Sequence, residues 1–261
     1  MHPSGGERAR LVMFLSADVV GSTAFKAANV DADGRAVWLE AFETLFRELP
    51  LIFVGKLAEY FALEDDVPHS GVWKVMGDEV VFAASPRTLT QAQLVAAAFS
   101  DAVQCYDARI AARWPLRIRG ACWGAEIGRR NRMLEIPEML GASEDRPYLD
   151  YLGPDIDIGF RLSGHSRPGE VILSPNLAEA FAAHGEQHGI EFHYVGEVPL
   201  KGVCAGLPFP LVLMSVAGVG VPSFPSTGAS EVAQRLAAIR ARMCAQGVRT
   251  APPVFAPPPD D

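Results

Sequence analysis

The sequence predicts an α+β fold in which helices pack on a mostly antiparallel sheet. Residues 11–17 (LVMFLSA) form a continuous apolar run of strand length, which is typical of a strand buried on both faces. Residues 72–83 contain two β-rich runs, VWKVM and EVVFA, joined by the two-residue turn GD, which is the pattern of a β-hairpin. Apolar residues recur at helical spacing within residues 31–62, and residues 88–113 are rich in alanine. The resulting order of strands and helices is that of a sheet covered by helices.

The remaining elements follow in order along the chain. Within residues 31–62 we expect two helices, because Pro50 has no N–H to donate and interrupts the helical pattern. Residues 116–127 (LRIRGACWGAEI) have the composition of a strand, and residues 129–147 are polar and irregular, which indicates a loop or an arm. A helix beginning near Asp155, a short strand (EVILS), a further helix (NLAEAFAAH) and two terminal strands around LKG complete the predicted fold.

The composition changes near the end of the chain. Gly, Pro and Ser dominate residues 217–230, an amphipathic helix covers 231–245, and 251–261 form a proline-rich tail that we expect to be mobile. We therefore predict one domain over residues 1–216, followed over 217–261 by a linker, a helix and a tail. The sequence leaves open whether that helix packs on the core, adds to a dimer or floats.

The bulk composition excludes several classes of protein. The 261 residues carry a net charge of -8, whereas a binder of nucleic acid or of an anionic membrane needs a basic surface. The first apolar run is only about half the length of a membrane span, and no other segment approaches that length. The four cysteines are widely spaced and lack a CxxC pair, which disfavours a zinc site or a disulfide framework. We therefore expect a cytoplasmic protein with no nucleic-acid or membrane partner.

Two aspartates stand at positions suited to metal binding. Asp18 ends the first buried strand and is followed by VVGST, and Asp78 lies at the tip of the VMGDEV hairpin. Hard cations such as Mg²⁺ prefer carboxylate oxygens, and a strand end beside a hairpin tip can hold two carboxylates rigidly. The Gly-Ser-Thr turn offers backbone N–H groups that can hold phosphates at a helix start. Alone, each aspartate is explained as a turn former or a helix cap, but their coincidence with the turn favours a metal and phosphate site.

Four motifs occur in the same order over residues 10–215: FLSADVVGST, KVMGDE, DYLGPDIDIGFRL and LKG. Together they resemble the class III nucleotidyl cyclases, enzymes that make 3′,5′-cyclic nucleotides from nucleoside triphosphates. The resemblance implies a ferredoxin-like α+β fold, with residues 1–216 as the catalytic domain. It also implies two Mg²⁺ or Mn²⁺ ions as cofactors.

The resemblance implies which residues hold the metal ions and the phosphates. Asp18 and Asp78 match the two metal-binding aspartates of the family, and the carbonyl of Val19 matches the usual third protein ligand. Ser22 and Thr23 fall where backbone N–H groups of the family hold the β- and γ-phosphates.

The resemblance also implies which residues meet the base and the reacting phosphate. Lys74 matches a base-reading position that is lysine in adenylate cyclases and glutamate in guanylate cyclases, and Asp150 matches its partner. Arg161 matches the arginine that stabilises the transition state, and Lys201 in LKG matches a phosphate-binding lysine.

Asp157 departs from the family pattern, which has Asn four residues before the arginine. The family Asn helps to position the ribose, whereas a carboxylate cannot donate that hydrogen bond and adds negative charge near a triphosphate. Asp157 would instead accept from a ribose hydroxyl or contribute to reading a different base. The alternative is an i,i+4 ion pair with Arg161, worth roughly a few tenths of a kcal/mol. The position of Arg161 in the family's place argues against it, and Asp155 rather than Asp157 is the more natural helix cap. A further family arginine is matched loosely by Arg129 or Arg130.

The base-reading pair leaves the substrate open. Lys74 donates and Asp150 accepts, which suits adenine and cytosine equally, whereas uracil would need a shifted pose or another reader. The chain carries no sensor or receiver domain, and with Asp157 it resembles the stand-alone pyrimidine cyclases of bacterial anti-phage (Pycsar) systems. This implies conversion of UTP to cyclic UMP, or of CTP to cyclic CMP, as a messenger for a cyclic-nucleotide-responsive effector. The alternatives are an adenylate cyclase that makes cyclic AMP and an inactive regulatory module with the cyclase fold.

The assembly follows from how the family builds its sites. In the family, the metal aspartates come from one subunit, and the residues that read the base and stabilise the transition state come from the other. All of these residues are present in this one chain. The resemblance therefore implies a homodimer with two composite sites.

Overall fold

The computed structural model describes residues 10–128, 130–136, 148–186, 188–220 and 222–255. The strands described are β1 (Arg10–Val20), β2 (Ser70–Met76), β3 (Glu79–Ala84), β4 (Arg117–Ile127), β5 (Arg132–Ile136), β6 (Tyr148–Leu152), β7 (Val171–Leu173), β8 (Ile190–Pro199) and β9 (Pro208–Val216). The α-helices are α1 (Ser22–Ala28), α2 (Leu39–Tyr60), α3 (Leu89–Ala111), α4 (Pro154–Ser163), α5 (Pro175–Ala183) and α6 (Ala229–Ala245).

Strand β1 lies inside a seven-stranded sheet with the order β2-β3-β1-β4-β7-β9-β8. Its apolar run is buried, and it pairs antiparallel with β3 on one side and β4 on the other. Among the strands described, β4 and β7 pair in parallel and every other pairing is antiparallel. The prediction of an α+β fold with helices on a mostly antiparallel sheet is confirmed.

Each face of the sheet is covered by its own apolar layer. On one face, Phe53 of α2 and Phe99 of α3 pack against Phe82 of β3. On the other face, Tyr151 of the separate β5–β6 sheet packs against Phe14 of β1, and α4 lies beside them. Because side chains alternate along a strand, neighbouring residues of β1 supply both layers. The layer with α4 and β6 carries most of the candidate site residues.

Helix α2 runs unbroken through Pro50, so the prediction of two helices interrupted at this residue is wrong. A proline inside a helix costs about 3 kcal/mol, because one hydrogen bond is lost and the ring clashes with the preceding turn. Here the residues on both sides of the proline are anchored in the core: Phe42, Leu45, Leu49 and Phe53 are buried. Burial of each such side chain contributes about 1.5–3 kcal/mol, so tertiary packing outweighs the local penalty.

Strand β2 is an edge strand and contains a β-bulge. Val72 pairs with Phe82 and Lys74 pairs with Val81, so Trp73 is an additional residue without a cross-strand partner. A bulge changes the direction in which the following side chains point. It brings Lys74 to the same face of the sheet as Val81, which belongs to the layer with α4 and β6.

Helix α6 packs on the core, which settles the question that the sequence left open. Its apolar residues Val232, Leu236, Ile239 and Met243 are buried, and Arg240 Nη2 lies 2.8 Å from Glu179 Oε1 of α5. After α6, Val254 is buried and its N–H donates to the Asn176 carbonyl at 3.2 Å, whereas 256–261 lie outside the described residues. The division of the chain at residue 216 stays a prediction. Within the part of the chain that the structure describes, no helix combines the length and the apolar character needed to cross a membrane.

Candidate active site

The end of β1 and the tip of the β2–β3 hairpin bring Asp18 and Asp78 together. Asp18 pairs with Glu79 across the two strands, and the Val19 N–H donates to the Asp78 carbonyl at 3.3 Å. The tight turn requires Gly77 at φ +65°, a conformation that side chains with a β-carbon adopt at a cost. The sequence therefore predicted this juxtaposition from a strand end and a turn signal.

Arg119 pairs with Asp18, which the sequence analysis did not anticipate. It lies directly opposite Asp18 on β4, and its Nη2 and Nε donate to Asp18 Oδ2 at 2.7 and 2.9 Å. Its Nη1 also donates to the Gly164 carbonyl at the end of α4, at 3.0 Å. The guanidinium therefore joins the first candidate metal ligand to the helix that carries Arg161. Only the strand register, which motifs do not reveal, places it there.

Three carboxylates crowd this end of the site. Glu79 accepts a hydrogen bond from the Ser16 hydroxyl, and burial raises its pKa, with repulsion by Asp18 and Asp78 in the same direction. Burial also raises the pKa of Asp18, with repulsion by Asp78 adding to it, although hydrogen bonds from Arg119 oppose the shift. Desolvation and mutual repulsion both penalise the charged carboxylates. Arg119 offsets only part of the negative charge, so the cluster favours further cations.

The donor chemistry fits Mg²⁺ or Mn²⁺. Carboxylate and carbonyl oxygens are the ligands that these ions prefer, and Asp18, Asp78 and the Val19 carbonyl are such oxygens. Among the described residues, no group of three or more His, Cys, Asp or Glu side chains is arranged as a complete metal centre. Metal ions held here would therefore complete their coordination with substrate phosphates and water, as Mg²⁺ commonly does.

The turn after β1 leads into α1, where Ser22 and Thr23 were predicted to hold phosphates. Gly21 precedes the helix at φ +77°, and the Phe25 N–H donates to its carbonyl at 3.1 Å. Ser22 is buried and Thr23 is exposed. The first N–H groups of a helix have no acceptor within it, and no side chain caps α1.

Lys74 and Asp150 form an ion pair between β2 and β6, with Lys74 Nζ 2.7 Å from Asp150 Oδ1. Their side chains are 18% and 21% exposed, so the pair is largely shielded but reachable. Asp150 also accepts from the Tyr151 N–H at 2.8 Å. Lys74 Nζ lies 4.1 Å from the centroid of the Trp73 ring. Trp73 Nε1 in turn donates to the Leu149 carbonyl at 3.2 Å. The structure brings the two predicted base-reading residues together, and the Trp73–Leu149 hydrogen bond links the strands that carry them.

Asp157 and Arg161 lie on the exposed face of α4 without an ion pair between them, so the i,i+4 alternative is not observed. A β-carbon placed on Gly202 would lie 3.9 Å from Arg161 Nη2, so the guanidinium reaches the LKG turn that contains Lys201. Neither Arg161 nor Lys201 makes a hydrogen bond or an ion pair within the described part of the chain. Two exposed cations that pair with no described residue thus lie at one turn.

Asp155 does not cap α4, so that prediction is wrong. Gly153 holds the N-cap position, and Asp155 is buried inside the first turn. Its carboxylate accepts from Arg130 Nη2 at 3.0 Å and from Asn131 Nδ2 at 2.8 Å. Arg130 is therefore engaged in holding α4 to the β4–β5 connection, and Arg129 lies outside the described residues. Asn131 has no motif signal in the sequence.

Comparison with solved structures places this chain in a known fold. An adenylyl cyclase, CyaB from P. aeruginosa, superposes with a TM-score of 0.56 at 15% identity, over 85% of this chain and 98% of that chain. The guanylate cyclase domain of RhGC from Catenaria anguillulae, in complex with GTP, superposes with a TM-score of 0.53 at 11% identity, over 81% of this chain and 99% of that chain. An adenylate cyclase structure from Trypanosoma brucei superposes with a TM-score of 0.52 at 16% identity, over 85% of this chain and 95% of that chain. The chain therefore has the fold of class III adenylyl and guanylyl cyclase catalytic domains. No protein-family model and no curated protein matches the sequence.

Proposed function

We propose that this protein is a metal-dependent nucleotidyl cyclase that converts a nucleoside triphosphate to a 3′,5′-cyclic nucleotide and pyrophosphate. The observation that carries the proposal is the arrangement of charges on the cyclase fold. Asp18 and Asp78 lie together where β1 ends and the β2–β3 hairpin turns. Arg161 and Lys201 lie at the LKG turn, and neither pairs with a described residue. Carboxylates for metal ions together with free cations for phosphates are what phosphoryl transfer requires.

Cyclisation is an intramolecular phosphoryl transfer in which the ribose 3′-oxygen bonds to the α-phosphorus and the bond to pyrophosphate breaks. The protein supplies position and charge rather than covalent chemistry. Bound Mg²⁺ or Mn²⁺ would lower the pKa of the 3′-hydroxyl and offset the charge of the leaving phosphates. Asp18, Asp78 and the Val19 carbonyl hold the ions.

The remaining residues hold the nucleotide. The N–H groups of Ser22 and Thr23 and the ammonium of Lys201 bind the leaving phosphates, and Arg161 offsets the charge that develops at the α-phosphate. Asp157 accepts a hydrogen bond from a ribose hydroxyl in place of the family's Asn.

The base enters between Lys74 and Asp150. The two side chains already bond to each other at 2.7 Å, so they are held in place before a base binds. A base whose edge carries an acceptor next to a donor replaces the Lys74–Asp150 bond with two bonds. It accepts from Lys74 and donates to Asp150. Adenine and cytosine present this order directly, and uracil binds in a shifted pose. We favour a pyrimidine product, cyclic UMP or cyclic CMP, acting on a cyclic-nucleotide-responsive effector in anti-phage defence, with cyclic AMP as the alternative.

The test is direct. The purified full chain is incubated with ATP, GTP, CTP or UTP and Mn²⁺, and products are identified by mass, with Asp18→Ala and Asp78→Ala as controls. We expect a cyclic pyrimidine nucleotide that both substitutions abolish. If no nucleotide gives a cyclic product, the cyclase function is refuted and the inactive regulatory module is favoured. Cyclic AMP as the sole product would refute the pyrimidine preference. Activity in both variants would refute the assignment of the two aspartates as metal ligands.

The active form is a homodimer in which each site takes its metal ligands from one subunit and Lys74, Asp150 and Arg161 from the other. Co-expression of Asp78→Asn and Arg161→Gln chains tests this, because each mixed dimer contains one intact site. Statistical mixing predicts recovery of about a quarter of the wild-type activity. Co-expression of Asp78→Asn with Asp18→Asn chains is the control and recovers none. Failure of the first pair to recover activity would refute the composite site.

A further inference from the structure

Five aromatic side chains form one cluster between the sheet and α4. They come from five different elements: Phe14, Trp73, Trp123, Tyr151 and Phe160. Phe14 lies at the centre, with its ring centroid 4.9 Å from that of Trp73, 5.6 Å from that of Trp123 and 5.1 Å from that of Tyr151. Phe160 closes the cluster at 5.2 Å from Trp123 and 6.2 Å from Trp73. The rings thus join β1, β2, β4, β6 and α4 in a single packing unit.

Three members of this aromatic cluster are chain neighbours of the candidate substrate residues. Trp73 precedes Lys74, Tyr151 follows Asp150, and Phe160 precedes Arg161. A protein interior is packed about as densely as an organic crystal, so such a cluster transmits displacement rather than absorbing it. The position of α4 relative to the Lys74–Asp150 pair is therefore set by how the rings pack.

The backbone of α4 approaches Trp123 closely at Gly159. A β-carbon placed on Gly159 would lie 2.1 Å from Cδ2, 2.2 Å from Cε2 and 2.4 Å from Cγ of Trp123. The face of the helix at Gly159 therefore rests directly on the indole. Trp123 is 1% exposed and stacks on Phe14, so its ring is packed between α4 and β1. Any side chain at Gly159 must lift α4 from the sheet or displace the ring.

The indole nitrogen indicates that ring shape matters at this position. Trp123 Nε1 is buried and has no hydrogen-bond partner among the described residues. A buried indole N–H usually finds a partner, because leaving it unpaired is unfavourable. Phenylalanine or leucine would fill apolar space here without a buried donor. What tryptophan adds is the wide flat face against which Gly159 lies.

We propose that Trp123 is a positioning residue that, together with Gly159, sets the distance of α4 from the sheet and so the place of Arg161 relative to the Lys74–Asp150 pair. The inference rests on the proposed cyclase function, in which Arg161 meets the reacting phosphate. Gly159 is two residues from Arg161 on the same short helix, so a shift at one is carried to the other. Displacement of a catalytic group by about 1 Å can cost on the order of 10²-fold in rate.

The test is a double-mutant cycle with Gly159→Ala and Trp123→Leu. We expect Gly159→Ala alone to lower kcat by about 30-fold to 100-fold with little change in KM, because the Lys74–Asp150 pair stays in place. Adding Trp123→Leu removes the atoms that the new methyl group meets. The kcat of the double variant should therefore be at least about tenfold higher than that of Gly159→Ala alone. Trp123→Phe serves as the milder partner if the leucine variant does not fold.

Leu45→Ala is the control for lost stability. Leu45 is buried in α2 and belongs to the layer on the opposite face of the sheet from α4. This variant should melt at a lower temperature yet keep the wild-type kcat at temperatures where it is folded. Wild-type kcat in Gly159→Ala, or a double variant no better than Gly159→Ala, would overturn the proposal.

A second measurement separates this inference from the proposed function. Crystal structures of Gly159→Ala and of the double variant should show α4 displaced from β4 in the first and restored in the second. If the wild-type chain makes no cyclic nucleotide, the cyclase function fails and this structural comparison still decides whether Trp123 sets the place of Arg161. An unmoved α4 in Gly159→Ala would overturn the inference even in an active enzyme.

Discussion

The two charged regions of the candidate site are built in opposite ways. The carboxylate cluster, formed by Asp18, Asp78 and Glu79, is half-buried, and Arg119 already balances part of its charge. The cation pair, Arg161 and Lys201, is exposed and has no hydrogen-bond or ion-pair partner among the described residues. In the first region Asp18 is paired with Arg119 as well as available to a ligand, whereas Arg161 and Lys201 are available only to a ligand. Substitutions in the two regions should therefore separate stability from activity.

The largest effect is expected at Asp78, because it belongs to the carboxylate cluster but makes no side-chain hydrogen bond or ion pair with any described residue. Asp78→Asn should lower cyclase activity by about 10³-fold or more, since metal binding stabilises the transition state by several kcal/mol. Its melting temperature should stay the same or rise slightly, because repulsion of Asp18 is removed. Product mass spectrometry and thermal melts of metal-free protein measure both quantities.

Asp18→Asn is the matched comparison for Asp78→Asn. It should lose as much activity but also melt at a lower temperature, because Arg119 loses its partner. Equal melting temperatures for the two variants would contradict the difference drawn between a paired and an unpaired carboxylate.

The cation pair should show a loss of activity without a loss of stability. Arg161→Gln should lower kcat by about 10²-fold to 10³-fold, as removal of a donor to developing charge does. The melting temperature should not change, because the guanidinium has no partner within the described residues to lose. Arg47→Gln, an exposed arginine on α2, is the control and should change neither quantity. A clearly lower melting temperature for Arg161→Gln would show that the Arg161 guanidinium stabilises the fold, as a paired charge does, and would contradict this prediction.

Arg119 should affect stability most when metal is absent. Arg119→Gln leaves the half-buried Asp18 without its counter-charge, which should lower the free energy of unfolding by about 1–2 kcal/mol, less than for a fully buried pair. Mn²⁺ should then raise the melting temperature of the variant more than that of the wild type, because it replaces the missing positive charge.

Arg117→Gln is the control for Arg119→Gln. Arg117 lies on the same strand and pairs with Asp107 of α3, at 2.9 Å between Nε and Oδ1, rather than with a candidate metal ligand. Its loss should lower the melting temperature and leave the Mn²⁺ response unchanged. An equal Mn²⁺ response in both variants would show that Arg119 does not act at the metal site.

The smallest effect is expected at Cys204, which follows the LKG turn beside the cation pair. Burial raises the pKa of the Cys204 thiol, although Arg130 opposes the shift. At pH 8 the reactive thiolate is therefore scarcer than in an ordinary thiol, and iodoacetamide should modify Cys204 several-fold more slowly than the exposed Cys105. The rate at Cys204 should keep rising with pH beyond the range in which an ordinary thiol levels off. Peptide mass spectrometry follows both, and equal rates would contradict the shift.

Local signals in the sequence predicted one part of the fold and the site, and long-range pairing decided the rest. The first strand, the hairpin and the meeting of Asp18 with Asp78 follow from an apolar run and a Gly-Asp turn, which act over few residues. The nearness of Lys74 to Asp150 was expected from the family resemblance. Their roles in catalysis stay predictions.

The residues that sequence reasoning missed depend on pairing across the fold. Arg119 meets Asp18 through the register of β1 on β4, and Trp123 meets Gly159 through the packing of α4. Neither partner is near the other in the chain, and neither has a composition signal. Pro50 was misjudged for the same reason, because the core contacts that hold α2 together are not visible in the local pattern.

The bulge at Trp73 decides which face of the sheet carries Lys74. Val72 and Lys74 pair with consecutive residues of β3, and Trp73 is the one residue in excess. In a regular ladder that kept Trp73 and paired it with Val81, Lys74 would lie opposite Val80 and its ammonium would point towards the α2 and α3 layer. Deleting Trp73 would instead leave Lys74 opposite Val81, so a single-codon deletion would abolish the bulge and the ring beneath the ammonium while keeping the lysine on its face of the sheet.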